Sequence, residues 1–84
     1  MAANVPTIQT GSGLVTITPT TAKRMMLVEN RDTVNAFDVN WNGSPTGWRL
    51  DPGTRKGNYV KGGVTTLTIT PVAGSPSWQV ELYD

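Results

Sequence analysis

The sequence predicts an all-β protein: a compact antiparallel β-sandwich of about seven short strands, with a small partly open β-barrel as the alternative. Three observations predict it. Threonine is the commonest residue and valine is abundant, and such β-branched side chains fit a pleated, half-buried surface. Alanine, glutamate and lysine are scarce, and no window of helical length is filled with helix formers. Short alternating runs bounded by turn residues recur about every 8–12 residues, the spacing of sandwich or barrel strands.

The first clear strand is Leu14-Val-Thr-Ile-Thr18, with Val15 and Ile17 on one face and Pro19 ending it. The second, Arg24 to Asn30, has apolar residues on both faces and reads as a central strand covered on both sides. The run Asn35 to Trp41 alternates cleanly: Phe37, Val39 and Trp41 point one way, Asp38 and Asn40 the other. Asn42-Gly43 follows as a turn, because both residues tolerate positive φ. Trp48-Arg-Leu50 is a short strand closed by the turn Asp51-Pro-Gly53. Asn58–Lys61 and Val64–Thr70 flank Gly62-Gly63, which reads as a two-residue hairpin. Leu67 and Ile69 face in there, and Thr66, Thr68 and Thr70 face out. The last strand, Ser77 to Tyr83, turns Trp78, Val80 and Leu82 to the core. Sequential hairpins favour antiparallel pairing, since parallel crossovers need longer connections.

Residues 1–12 read differently. Val5, Pro6 and Ile8 sit among polar residues ahead of a Gly11-Ser12-Gly13 hinge. They form either a flexible arm that orders against a neighbour or an edge segment, followed by one domain over residues 13–84.

An 84-residue chain buries only about 60–65% of the surface its unfolded form exposes, so its core is marginal. Small folds add a disulfide, a metal or a partner. The chain has no cysteine and no histidine, which excludes a disulfide and the usual ligands of structural zinc. Association is the remaining route. Seven basic and six acidic residues leave a net charge of +1, too balanced for strong attraction to nucleic acid or an anionic membrane. No segment has the ~20 apolar residues of a membrane span. Met1 to Pro6 has no basic or apolar region of a signal peptide, so synthesis and retention in the cytoplasm are expected.

The same two absences remove the commonest general base and the thiolate nucleophile, so no enzyme, cofactor or metal is expected. The carboxylates Glu29, Asp32, Asp38, Asp51, Glu81 and Asp84 read as solubility and turn chemistry rather than as a catalytic pair. No glycine-rich phosphate loop is present. Of the tryptophans, Trp41 and Trp78 fall on core faces, whereas Trp48 beside Arg49 is a candidate surface anchor. Exposed tryptophans would suit stacking on sugars or, more distantly, on unpaired bases.

The order of strands and turns from Arg24 to Gly53 carries a resemblance. An arginine-led strand ends in asparagine (Arg24-Met-Met-Leu-Val-Glu-Asn30). A strand then ends in Asn-Gly (Phe37-Asp-Val-Asn-Trp-Asn-Gly43), followed by Leu50-Asp-Pro-Gly53, a Gly-Gly pair and a threonine-rich strand. Over roughly residues 14–83 this order resembles small β-sandwich virion proteins of bacteriophages, the head decoration or cement proteins and related spike modules. The resemblance implies a non-enzymatic virion structural protein that joins the virion in the host cytoplasm. Its partner would be the major capsid protein or another virion protein, with self-association, for example as a trimer. It would clamp the assembled head. The alternative is a carbohydrate- or receptor-binding module of a tail fibre or spike. An N-terminal arm would supply Val5 and Ile8 as contacts, and Trp48 and Arg49 complete the candidate partner-binding set.

Overall fold

The computed structural model describes residues 7–84 and contains eight strands. They are β1 (Thr7–Ser12), β2 (Val15–Ile17), β3 (Lys23–Asn30), β4 (Phe37–Trp41), β5 (Trp48–Leu50), β6 (Arg55–Val64), β7 (Leu67–Pro71) and β8 (Ser77–Tyr83). Sheet A has the order β1-β8-β3-β6 and sheet B the order β2-β7-β4-β5. Every pairing is antiparallel. The two sheets stack as a slab with Cα extents of 42 × 24 × 17 Å, a sandwich and not a closed barrel.

The core is the set of inward side chains from both layers. Met26, Val28, Val64, Trp78, Val80 and Leu82 come from sheet A; Ile17, Phe37, Val39, Leu50, Leu67 and Ile69 come from sheet B. Fully burying one such side chain contributes about 1.5–3 kcal/mol. The alternation seen in the sequence maps directly onto these inner faces in β4, β7 and β8.

Four sequence expectations change. The first concerns the N-terminal segment, where the edge reading holds over residues 7–12 in place of the arm: they form β1, at the edge of sheet A, which pairs with β8 from Thr7↔Leu82 to Ser12↔Ser77. This adds the eighth strand, while Val5 lies outside the described residues. Next, Gly62-Gly63 is not a hairpin turn. Both glycines lie inside β6, at φ 84° and 89°, within a bulge where the register with β3 jumps from Met25↔Tyr59 to Lys23↔Val64. Positive φ serves a bulge as well as a turn, so the local signal was ambiguous. The reversal falls instead at Thr65-Thr66, and it carries the chain from sheet A to sheet B.

The third change is in connectivity. Among the described strands only β4 and β5 are both consecutive and paired; the other links cross between sheets. Antiparallel pairing therefore holds, but between strands distant in sequence. The fourth concerns β3, which is central in sheet A yet covered on one face only. Met26 and Val28 are buried, while Met25 is 42% exposed.

Two asparagines fix the ends of the sandwich. Asn30 is fully buried, and its amide donates to the carbonyls of Asn35 and Leu50 at 3.0 Å while its Oδ1 accepts from the Asp32 amide. It thereby ties β3 to the loop before β4 and to the end of β5. At the other end Asn42 (φ 55°) and Gly43 (φ 69°) make a type I′ turn closed by Ser44 N–H donating to Trp41 O. The Asn42 side chain donates to Gly63 O and accepts from the Thr65 amide and hydroxyl, so the turn also clasps the sheet-to-sheet crossing.

Candidate interaction surfaces

The sandwich has two outer faces, and their chemistry is opposite. In an antiparallel pair, directly opposed residues share a face. The register therefore lays out the outer face of sheet A in rows. Tyr59, Met25 and Tyr83 form one row; Gly57, Leu27, Glu81 and Ile8 the next; Arg55, Glu29, Gln79 and Thr10 the third. The first two rows are largely apolar and open: Tyr59 is 57% exposed, Ile8 56%, Met25 42% and Tyr83 37%. Leu27 leans over Gly57, where a Cβ would come within 3.2 Å of its Cδ1. The Tyr83 hydroxyl hydrogen-bonds Glu81, and that bond holds the Glu81 carboxyl below its ordinary range and raises the phenol. Glu81 also accepts from Gln79. Glu81, Gln79 and Tyr83 are thus tied to one another.

The outer face of sheet B is polar throughout. Thr16 and Thr68 lie side by side with their hydroxyls 3.4 Å apart, and Asn40 follows in the same row. Thr70, Asp38 and Arg49 make the adjacent row. Arg49 grips Asp38 with two hydrogen bonds, Nε to Oδ1 at 2.7 Å and Nη2 to Oδ2 at 3.1 Å. That grip holds the Asp38 carboxyl below its ordinary value and raises the guanidinium. Beside the pair, the 42–47 loop leaves an open depression of about 370 Å³, lined by Asp38, Asn40, Pro45, Gly47, Trp48 and Arg49.

The residues singled out in the sequence do not converge on one site. Ile8 is exposed on β1, opposite Glu81 on the outer face of sheet A. Trp48 and Arg49 are neighbours on β5 but point to opposite faces of sheet B. The Trp48 side chain turns toward the core, where its ring lies 4.9 Å from that of Trp41 at 57°, and Lys56 Nζ sits 5.1 Å above it. It is half-buried, a sheltered cation–π pair rather than a free aromatic platform. Met25, Leu27, Tyr59 and Tyr83 were not singled out, although the two-faced apolar pattern of β3 was a signal for the first two.

Each of five carboxylates has its own structural partner. Asp32 accepts from the Val34 and Asn35 amides, Asp38 pairs with Arg49, and Glu81 with Tyr83 and Gln79. Glu29 pairs with Arg31, and Asp84 with the buried Lys23. Among the described residues no three acidic side chains gather as a metal site. No protein-family model matches the chain, and no curated protein matches it.

Proposed function

We propose that this chain is a non-catalytic structural module that docks on a larger protein assembly, as a capsid decoration protein docks on an assembled head. The observation that carries the reading is the apolar outer face of sheet A. Ile8, Met25, Leu27, Tyr59 and Tyr83 line two adjacent rows of one face, and Ile8, Met25, Tyr59 and Tyr83 stand open there. Aromatic and methionine side chains standing open on one sheet face give it the composition of a protein contact. The +1 net charge gives the chain little pull toward polyanions and leaves apolar burial as the driving force. The resemblance to phage decoration and spike modules supplies the kind of assembly: a shell of virion protein. Binding would stabilise the module by mass action, the route left open to a small core without staples.

The experiment is co-sedimentation of the purified chain with assembled shells lacking it. The wild type is expected in the pellet. The triple variant Met25→Ser, Leu27→Ser, Tyr59→Ser is expected in the supernatant with an unchanged far-UV spectrum, because all three side chains lie outside the core. Equal retention of both proteins would remove sheet A as the contact, and a wild type left in the supernatant would sink the decoration role.

A further inference from the structure

We infer that the outer face of sheet B is a saccharide-binding site centred on the Asp38–Arg49 pair. It rests on the opposite side of the sandwich from the apolar face and is independent of the docking proposal.

Asp38 and Arg49 neutralise each other through two hydrogen bonds, so the depression beside them is polar without net charge. An anionic ligand would meet the carboxylate and a cationic one the guanidinium. Asp38, Asn40 and Arg49 in its lining also disfavour an apolar ligand. A neutral ligand rich in hydroxyl groups fits what remains.

The hydrogen-bonding inventory gives the same answer. A carboxylate offers about four acceptor positions and a guanidinium five N–H donors. The mutual pair uses one position on each Asp38 oxygen and two Arg49 N–H groups. Acceptors and donors are left adjacent to one another in the lining of the depression. Two neighbouring sugar hydroxyls, each both donor and acceptor, can engage both residues at once. Thr70 stands beside Asp38 and Thr68 beside Asn40 on β7, outside the lining of the depression itself.

The site is also held in shape before any ligand arrives. The ion pair holds the long Arg49 side chain against Asp38, which lowers the ordering cost of binding. The Asn40 amide donates to Ser44 O at 3.1 Å, and the Ser44 and Thr46 hydroxyls lie 3.1 Å apart. Gly47 presses so closely on β4 that a Cβ there would lie 1.9 Å from Val39 O. The loop wall is therefore seated on the strand. The volume of about 370 Å³ is at the small end of ligand sites and suits a mono- or disaccharide bound from the open side.

The test is a two-dimensional amide NMR titration of the intact chain. The probes are methyl glycosides of glucose, galactose, mannose and N-acetylglucosamine, with lactose and cellobiose, each at millimolar concentration. At least one is expected to give saturable shifts confined to Asp38, Asn40, Gly47, Trp48 and Arg49, the amide-bearing residues of the lining. Arg49→Ala is expected to weaken that sugar about tenfold or more while leaving the thermal midpoint nearly unchanged, because an exposed pair adds little stability. Arg49→Lys keeps the charge but loses the fork, and should weaken binding as well; it reads the site if the alanine variant folds poorly. The inference is overturned if no probe shifts these residues, if the shifts survive both substitutions, or if inorganic phosphate produces them in place of the sugars.

Discussion

Asn30 has no exposed surface, and its side chain bonds only backbone groups: it donates to the Asn35 and Leu50 carbonyls and accepts from the Asp32 amide two residues on. Asn30→Ala would leave the Asn35 and Leu50 carbonyls without their donor, and its expected cost is about 2–4 kcal/mol in urea unfolding. Asn30→Asp should be at least as harmful, since it sets an acceptor against two acceptors. An aspartate variant as stable as wild type would show that water replaces the amide. Acid sensitivity belongs to this scale too. Backbone donation from Asn35 lowers the Asp32 carboxyl, and Arg49 lowers that of Asp38. A carboxyl lowered in the folded state contributes fully above its unfolded value. That contribution is lost as pH falls through the lowered one, here below about pH 4. Both groups are solvent-exposed, so the effect is modest. The double variant Asp32→Ala, Asp38→Ala should lose less stability than wild type between neutral pH and about pH 3; parallel losses would place the acid response elsewhere.

At the scale of the element, the glycine bulge of β6 makes the sharpest test. Gly63 has φ 89°, and a Cβ would lie 2.7 Å from Ala22 Cβ; Gly43 has φ 69° with open space around it. Gly63→Ala and Gly43→Ala share the left-handed strain, about 1–3 kcal/mol, but only the first adds a clash. The Gly63 variant should therefore melt lower, and equal melting points would mean that Ala22 yields freely. The same element shows where sequence reading succeeds and stops. β4, β7 and β8 were legible because each has one buried and one open face, so period-two alternation reports burial directly. Gly62-Gly63 misled because positive φ marks a change of chain direction without saying whether the strand ends. β3 misled because an exposed apolar side chain reads the same as a covered one. The polar set Asp38 and Asn40 was visible as the outward face of a strand. Its pairing with Arg49 was not, because the β4–β5 register depends on how the loop over residues 42–47 seats against Val39.

At the scale of the molecule, β1 and β8, the first and last described strands, lie side by side in sheet A. β1 covers β8 along six residue pairs, and the Trp78 ring lies over Gly11 while its Nε1–H donates to Gly13 O. A chain beginning at Gly13 would expose the hydrogen-bonding edge of β8 and uncover Trp78. It should unfold at lower denaturant and associate through the bare edge, as seen by sedimentation velocity. A truncated chain that stays monomeric with its stability intact would show β1 to be dispensable. Most strand pairs join residues distant in sequence, so folding should be slow for this length, in the millisecond-to-second range.

The partnership of β1 and β8 also decides how the protein answers to force. Thr7 stands opposite Leu82, so a pull on the two chain ends unzips the strands one pair at a time instead of shearing all their hydrogen bonds together. Stretched by its ends, the domain should open at low tension. Pressed between neighbours through its broad faces, it meets the load with both sheets and the packed layer between them. Under the proposed docking on a larger assembly the load would fall in the second direction, whereas this topology places its weakness in the first.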